Sequence, residues 1–466
     1  MFTPEQMDWV PGWVRRAIFY HIYPLGFLGA PQHNDRQAEP VPRLAELRRW
    51  YDHITHLGVT AIYFGPLFES LSHGYDTVDY FTIDRRLGDM ALFRQIVAEL
   101  HERGIKIILD GVFNHTSREF FAFQDIRRHG QSSRYADWYL IDWQADSSYH
   151  DGFAYQSWEG HQSMPRLNLK NPAVRNYLFE VARMWLGDVG VDGWRLDVAY
   201  EIGPDFWWEF RRVCKQIKPD CFLLGEMIGG DYRVWVAPDL LDSGTDYQFY
   251  KAVWSSLNAA NFWELKAVME RAFHPEWGVF KDLTLLTFLG NHDVTRILSQ
   301  LDEPRHVYTA LLILMSAPGV PCLYYGDEVG MRGRKEEGDA ALRGPMPLPE
   351  AEWPDRERAI YREAARLAGI RRSHPALLYG RFAPLEAGDT VFSFLRQSSR
   401  ETAVIMLNSG GQPAGLTCPV GREGVPDGKT FTDVLDPARP AYTVQGGRLA
   451  VDKIWPYWGR ILIAEN

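Results

Sequence analysis

The stretch Val191-Asp-Gly-Trp-Arg-Leu-Asp-Val-Ala-Tyr-Glu201 decides the fold of this chain. Its apolar residues, Leu196 and Val198 among them, are typical of a short buried strand, yet Arg195 and Asp197 interrupt them. A buried charge is costly unless it is paired, so we expect these two side chains to face the same side of the strand and to interact. The pair is either a structural ion pair or a carboxylate kept ionised by its arginine so that it can act as a nucleophile.

Strands and helices alternate on both sides of this stretch. Apolar runs predict further strands at 17–23, 59–64, 105–112, 221–226, 283–289 and 321–325. Amphipathic spacing predicts helices at 43–57, 90–103, 172–186, 204–217, 305–316 and 355–370. About eight such units, with near-continuous apolar strands, favour a parallel sheet closed as a (β/α)8 TIM barrel over an open doubly wound sheet. No Gly-x-Gly-x-x-Gly follows a strand, which argues against a dinucleotide site.

Two segments depart from this alternation. The connection from His115 to Pro172 is far longer than a βα loop and is dense in aromatic residues, which predicts an inserted subdomain after strand three. From Leu378 onward, short strands with turn signals predict a C-terminal antiparallel β-sandwich domain. The predicted divisions are the first part of the barrel (1–115), the inserted subdomain (116–171), the second part of the barrel (172–377) and the C-terminal β domain (378–466).

The composition indicates a globular protein that acts on small uncharged molecules. The 466 residues are 46% hydrophobic and 24% charged, enough for a large core. A net charge of -10 and a pI near 5.8, with no basic run, argue against nucleic-acid binding. The 14% share of aromatic residues suits stacking on flat, hydroxylated rings, although a large aromatic core would give the same composition.

The cysteines and the first residues bear on the cellular compartment. Cys214, Cys221, Cys322 and Cys418 show no paired spacing, so neither a zinc site nor a disulfide framework is expected. The segment Met1–Trp9 is acidic where a signal peptide has a basic start, and no apolar run is long enough to cross a membrane. We therefore predict a cytoplasmic protein with no membrane partner; the sequence does not indicate the oligomeric state.

Ionisable residues gather where the predicted strands end. They are Asp110 and His115 after strand three, Arg195 and Asp197 on strand four, Glu226 after strand five, and His292 and Asp293 after strand seven. A single acid at a strand end is often a helix N-cap. Several that converge on the mouth of a barrel instead indicate acid–base and nucleophilic chemistry on a glycosidic bond, which needs two carboxyl groups of different pKa.

Four ordered motifs resemble the signature regions of the α-amylase family of glycoside hydrolases. They are Asp110-Gly-Val-Phe-Asn-His115, Gly193-Trp-Arg-Leu-Asp-Val-Ala199, Gly225-Glu226 and Leu289-Gly-Asn-His-Asp293. The resemblance covers nearly the whole chain. It implies that Asp197 is the nucleophile, Glu226 the general acid/base and Asp293 a third carboxylate that holds sugar hydroxyls. Substrate contacts are implied for Tyr75, His115, Arg195 and His292.

Within the family, Met164-Pro-Arg-Leu-Asn168 and Val198-Ala-Tyr-Glu201 resemble the neopullulanase and cyclomaltodextrinase subgroup. That subgroup's additional N-terminal β domain is not expected here, because strand one begins near residue 17. Tyr200 replaces the subgroup's asparagine, and Met227-Ile-Gly-Gly230 replaces its Ile-Trp-His. These changes weaken the expectation of plain cyclodextrin or starch specificity, and a weaker resemblance points to enzymes that open cyclic maltosyl-maltose. Glu201 and the Met227 segment are then expected to choose the linkage on the acceptor side.

The sequence therefore predicts a retaining glycoside hydrolase that cleaves α-1,4 or α-1,6 bonds in short or cyclic malto-oligosaccharides. A transglycosylase, which uses the same covalent intermediate, is the alternative. A non-catalytic binding or scaffold subunit is less favoured, because the three acids and both histidines are present. Calcium is common in the family, with the residue matching Asn114 among its ligands, but Asn114 can instead be a hydrogen-bonding neighbour. We predict that no cofactor or metal is required.

Overall fold

The computed structural model describes residues 9–347 and 353–466. Its largest sheet has eight strands, paired in the order β6-β5-β4-β3-β2-β1-β8-β7. They are β1 (Phe19–Ile22), β2 (Ala61–Phe64), β3 (Lys106–Gly111), β4 (Gly193–Leu196), β5 (Phe222–Gly225), β6 (Ser243–Gly244), β7 (Leu286–Phe288) and β8 (Val320–Tyr324). Thr245 pairs in parallel with Leu286, which joins the two edge strands and closes the sheet. The predicted (β/α)8 barrel is confirmed. The first eight residues lie outside the described ranges. The prediction that the chain has no signal peptide rests on them, and the first predicted barrel segment begins with them.

The helices pack around this barrel. The longer ones are α1 (Tyr51–His56), α2 (Met90–Glu102), α3 (Pro172–Arg183), α4 (Pro204–Ile217), α5 (Tyr247–Asn258), α6 (Phe262–Phe273), α7 (His306–Ser316) and α8 (Asp355–Ser373). The helix predicted over 43–57 is in fact a 3-10 helix, Arg43–Trp50, that runs into α1. Strand β6 was not predicted, because two residues with small side chains carry no apolar pattern. Within the described residues, no helix is both long and apolar enough to span a membrane.

The connection between β3 and α3 folds into a small unit of its own. It contains the helix Phe121–His129, the paired strands Ile141–Asp142 and Ala154–Tyr155, and the paired strands Ser157–Trp158 and His161–Pro165. Phe123 lies at its centre, with ring centroids 5.0 Å from Tyr139 and 4.9 Å from Tyr155. A bridge between His115 and Arg166 returns the chain to the end of β3. The insertion therefore stands beside the mouth of the barrel.

The C-terminal part is antiparallel, as predicted. Six strands form one sheet, namely Arg381–Ala387, Val391–Gln397, Glu401–Asn408, Thr430–Asp433, Ala441–Thr443 and Trp458–Glu465, and Ala414–Cys418 pairs with Leu449–Ile454. Alternation along one strand explains the packing: Val404 and Met406 belong to the core between the two sheets, whereas Ile405 and Leu407 belong to the core shared with the barrel. Both faces of the sheet are thus covered.

Candidate active site

The barrel ladder places two carboxylates at adjacent strand ends. Asp197 follows β4, and its backbone N–H donates to the Gly111 carbonyl on β3 at 3.1 Å. Glu226 follows β5, and its N–H donates to the Leu196 carbonyl on β4 at 2.9 Å. Each acid therefore continues the parallel ladder by one residue. The carboxyl ends of barrel strands meet at one mouth, so the two side chains share a site.

One buried guanidinium joins the carboxylates of this site. Nη1 of Arg195 lies 2.7 Å from Oδ1 of Asp197, and Nη2 lies 2.6 Å from Oε1 of Glu226. Nη1 also lies 3.0 Å from Oδ1 of Asp110, whose Oδ2 accepts a hydrogen bond of 2.8 Å from the Tyr63 hydroxyl. The predicted Arg195–Asp197 contact is therefore present, and Arg195 serves three acids.

The backbone after Asp197 is strained in a way that serves Glu226. Val198 has φ +47°, a left-handed conformation that costs a β-branched residue on the order of 1–3 kcal/mol. Its N–H donates to Oε2 of Glu226 at 2.9 Å. Arg195 and the Val198 amide therefore hold one carboxylate oxygen of Glu226 each.

The electrostatics of Asp197 differ from the sequence-based expectation. We expected Arg195 to keep this carboxylate ionised. Burial instead raises the pKa of Asp197 well above its ordinary value; Arg195 opposes that effect, and the nearby Glu226 and Asp110 add to it. Three carboxylates on one guanidinium leave an excess of negative charge, which favours the protonated form of Asp197.

Asp293 has the opposite environment. Nε2 of His292 lies 2.9 Å from its Oδ2, and Nη2 of Arg343 lies 2.9 Å from its Oδ1. Burial raises the pKa of Asp293, but the adjacent His292 and Arg343 outweigh burial and hold it well below the ordinary range. Asp293 is therefore an ionised acceptor at the rim of the site.

Tyr75 and the two histidines line the space between these acids. The Tyr75 hydroxyl donates to Oδ2 of Asp110 at 3.1 Å and is also hydrogen-bonded to Nε2 of His292. The rings of Tyr75 and His292 stack with their centroids 5.2 Å apart and an interplanar angle of 10°. Nε2 of His115 lies 3.2 Å from the Tyr75 carbonyl oxygen. Burial lowers the pKa of His115 to about 3, so its imidazole is neutral at physiological pH. The structure thus brings these three residues together with Arg195 and the acids.

Glu201 lies apart from this network. Its side chain is 26% exposed, Nη1 of Arg166 is 3.9 Å from its Oε2, and Nη2 of Arg166 donates to its backbone carbonyl at 3.1 Å. Burial raises the pKa of Glu201, an effect that Arg166 opposes. Among the described residues, Glu201 makes no hydrogen bond to Asp197 or Glu226. It sits on the 3-10 turn that follows β4.

Sequence reasoning gave no individual role to four residues of the site. Asp110 was recognised among the ionisable residues at the strand ends, but without a role of its own. Tyr63 stands on predicted strand two, where its hydroxyl among apolar neighbours was a usable signal. Tyr247 follows the unpredicted strand β6; its hydroxyl accepts from Nδ2 of Asn291 at 2.7 Å and donates to Oε1 of Glu226 at 3.5 Å. Arg343 comes from the connection after β8, where no motif marks it.

Asn114 provides the test of a calcium site. Its Oδ1 is buried without a hydrogen-bond partner, which is the orphan oxygen that a cation would satisfy. Calcium takes six to eight oxygen ligands, several of them carboxylates. Within residues 9–347 and 353–466, no group of three or more His, Cys, Asp or Glu side chains is arranged to hold a metal ion. Asn114 therefore does not fit a carboxylate-rich calcium shell.

Comparisons with known proteins agree with this geometry. The family described as "Alpha amylase, catalytic domain" matches residues 44–370. A cyclomaltodextrinase of Bacillus sp is 35% identical over 91% of this chain and 78% of its own length. Neopullulanase 2 of Thermoactinomyces vulgaris is 35% identical over 91% of this chain and 74% of its own.

A solved structure extends the likeness to the fold. Cyclic alpha-maltosyl-(1→6)-maltose hydrolase from Arthrobacter globiformis superposes with a TM-score of 0.79 at 29% identity, covering 97% of this chain and 99% of that one. The barrel, the cluster of acids at its mouth and the relatives point to the same assignment. The chain is a member of the α-amylase family of glycoside hydrolases.

Proposed function

We propose that Asp197 is the nucleophile and Glu226 the general acid/base of a retaining hydrolase. The observation that carries this proposal is the single guanidinium of Arg195, whose two terminal nitrogens lie 2.7 Å from Asp197 and 2.6 Å from Glu226. We expect two carboxyl groups that share one guanidinium in this way to stand about 5 to 5.5 Å apart, the spacing of retaining enzymes, which leaves no room for an intervening water.

The reaction then proceeds in two displacements. Glu226 gives its proton to the glycosidic oxygen as the bond from that oxygen to the anomeric carbon breaks, and the Asp197 carboxylate bonds to that carbon as a glycosyl ester. Water next donates a proton to Glu226 and attacks the same carbon, which releases Asp197. Asp293, held by Arg343 and His292, is placed to accept hydrogen bonds from sugar hydroxyls.

The proton balance of the cluster supports this assignment. The reaction begins with one proton on the Asp197–Glu226 pair. Burial and the neighbouring carboxylates raise the pKa of Asp197, which favours a proton within that pair. Both limbs of a bell-shaped pH profile follow: the pair takes up a second proton at low pH and loses its last at high pH.

Product stereochemistry tests this mechanism. Double displacement gives a product whose new reducing end is first the α-anomer, which proton NMR resolves before mutarotation. A first-formed β-anomer would mean a single displacement through a water molecule and would refute the assignment of Asp197 as nucleophile. The same spectra report transfer, since a pure oligosaccharide that gives longer products shows that sugar acceptors compete with water.

We further propose that the substrates are short or cyclic malto-oligosaccharides. The relatives are named for cyclomaltodextrin and cyclic maltosyl-maltose, and the aromatic insertion after β3 supports a walled cleft with few sugar subsites. Glu201 and Tyr200 are proposed to face the acceptor sugar. Replacing Glu201 by Gln is expected to change the ratio of α-1,4 to α-1,6 cleavage on panose, while the same change at the exposed Glu209 leaves it unaltered. An unchanged ratio in both variants would remove Glu201 from the acceptor side.

Two further proposals concern the setting of the enzyme. No added cofactor is expected to be required, so dialysis against EDTA should leave kcat and the thermal midpoint unchanged. A cytoplasmic location is supported by four free, buried cysteines, which suit a reducing compartment. Fractionation of the source cells tests the location, and activity confined to the medium would contradict it.

A further inference from the structure

A cavity of about 250 Å³ lies at the opposite end of the barrel from the acids. It is formed where the barrel meets the C-terminal sheet, since its lining includes Leu283 and Val320 just before or at the start of β7 and β8, and Phe382 and Arg396 from the first two strands of that sheet. Active sites of barrels lie at the carboxyl ends of the strands. This cavity is therefore separate from the catalytic site.

Two buried arginines stand at this junction without an acid. Arg371 is 0% exposed and Arg396 is 1% exposed, and within the described residues neither makes an ion pair with a carboxylate. Burial, and then the neighbouring Arg371, lower the pKa of Arg396 well below its ordinary value. A buried charge is unfavourable unless it is paired, so these two adjacent guanidinium groups favour the binding of a counter-charge at this point.

Backbone carbonyls near the end of α7 satisfy these arginines only in part. Arg371 donates to the carbonyls of Met315 at 2.9 Å, Ala317 at 3.1 Å and Gly319 at 2.6 Å. Arg396 donates through Nε to Gly380 at 3.1 Å and through Nη1 to Ser316 at 2.8 Å. The carbonyls at the C-terminus of a helix carry only about half a negative charge, which is less than the positive charge of two guanidinium groups.

Nη2 of Arg396 is the donor left over. It makes no hydrogen bond to any described residue, and Arg396 lines the cavity. The lining also includes Arg15, together with Lys281 and Arg381, which pair with Asp282 at 2.7 Å and Glu423 at 2.7 Å, respectively. The lining thus has four cationic side chains and one carboxylate, Asp282, and Arg396 is the buried cation among them.

We propose that this cavity binds a small oxyanion, a phosphate or carboxylate group, carried on a compact and partly apolar body. The anion would accept from Nη2 of Arg396 and supply the missing counter-charge. The body would pack on Leu283, Val320 and Phe382, which are apolar cavity walls. A volume of about 250 Å³ suits a ligand the size of a single substituted ring. Because both the barrel and the C-terminal sheet contribute walls, the bound anion would stabilise their junction.

Calorimetric titration of the full chain tests this proposal, with phenyl phosphate, benzoate and uncharged benzyl alcohol as probes. At least one of the two anions should bind and raise the thermal midpoint with its concentration, whereas benzyl alcohol should not. Tighter binding of phenyl phosphate would identify the group as phosphate, and tighter binding of benzoate would identify it as carboxylate. In the Asp197→Asn variant, which should not hydrolyse the sugar, saturating maltotriose in the catalytic cleft should leave the affinity for the anion unchanged.

Variants locate the site. Arg396→Gln should weaken anion binding at least tenfold, and Lys281→Gln at the rim should weaken it severalfold. Lys266→Gln is the matched control, because Lys266 lies on α6, pairs with Glu270 and does not line the cavity. If Arg396→Gln does not fold, the anion affinities of Lys281→Gln and Lys266→Gln are compared, and only Lys281→Gln should bind more weakly than the parent. The proposal is overturned if neither anion binds better than benzyl alcohol, if maltotriose displaces the anion, or if all folded variants bind equally.

Discussion

Arg195 differs from a simple ion-pair partner because its one guanidinium contacts three carboxylates. A structural ion pair would need one acid, and adding two more only raises the cost of burial. The raised pKa of Asp197 is the sign of that cost. Clusters that perturb pKa values in this way are common at functional sites, which supports the proposed catalytic role.

A substitution at Asp197 separates the two interpretations. Asp197→Asn removes the nucleophile, so kcat should fall by several orders of magnitude, while the free energy of unfolding should stay the same or rise because a buried charge is removed. Rate assays and thermal unfolding at neutral pH measure both. Asp205→Asn, at an exposed position on α4, is the control and should change neither. A large loss of stability in Asp197→Asn, with activity retained, would mean that the pair is structural.

Tyr247 tests the positioning of Glu226. Its hydroxyl donates a long hydrogen bond of 3.5 Å to Oε1 of Glu226. Tyr247→Phe removes this donor and should lower kcat severalfold, because Arg195 alone then holds Oε1. Tyr250→Phe is the control, because that ring stacks on Phe288 and makes no hydrogen bond to Glu226 within the described residues. A kcat that is unchanged in both variants would assign Tyr247 a packing role.

The sequence located a site residue wherever that residue comes directly after a predicted strand. Asp197 and Glu226 each come one residue after an apolar strand, so the pattern of the strand locates them. Tyr247 and Arg343 enter from connections, and their contacts depend on how those connections fold back. Nothing local in the sequence carries that information.

At the scale of elements, β6 illustrates the same limit. It is two residues long, Ser243–Gly244, and is recognisable only through its pairing with β5 and the bridge from Thr245 to Leu286. The longer strands were predictable because both of their faces are buried, which demands apolar side chains throughout. Helix α5 follows β6 at once, and its start is fixed by Asp246, whose side chain accepts from the Phe249 N–H at 2.9 Å.

Asp246 gives a pH-dependent prediction. Burial raises its pKa to about 6, while its backbone hydrogen bonds lower it. The folded state therefore binds this proton more tightly than the unfolded state, and its contribution to the free energy of unfolding falls as pH rises from about 4 to about 6. Asn also caps helices. Asp246→Asn should thus be more stable than the parent at pH 7, by up to about 3 kcal/mol, and equal to it near pH 4.

Denaturant titrations across that pH range measure the effect. Asp89→Asn is the matched control, because Asp89 caps α2 through the Leu92 N–H at 2.8 Å but is exposed. The control should show no pH-dependent gain. A constant difference between Asp246→Asn and the parent from pH 4 to pH 7 would contradict the burial argument.

At the scale of the whole molecule, three sequence features predict the barrel, the insertion and the C-terminal sheet. Continuous apolar strands, a long aromatic connection and alternating short strands predicted the architecture. The cavity under the barrel was not predictable, because Arg371 and Arg396 belong to different elements, α8 and the C-terminal sheet, and meet only in the folded molecule.

Substrate size belongs to this scale. We expect the aromatic insertion to wall the barrel mouth, so kcat/KM should be higher for cyclic and branched tetra- to heptasaccharides than for soluble starch. Initial rates of reducing-end formation, measured on each substrate over a range of concentrations, check this prediction. Starch as the better substrate would show that the cleft is an open groove and that the insertion does not wall it.

The central claim is that Asp197 forms a covalent glycosyl ester. A 5-fluoro-α-glucosyl fluoride should trap this ester, because the fluorine slows its hydrolysis more than its formation, and peptide mass spectrometry then locates the label. The account predicts one fluoroglucosyl group per chain, on the peptide that contains Asp197 and absent from Asp197→Asn. A label on Glu226 or Asp293, or none on a chain that the reagent has inactivated, would contradict it.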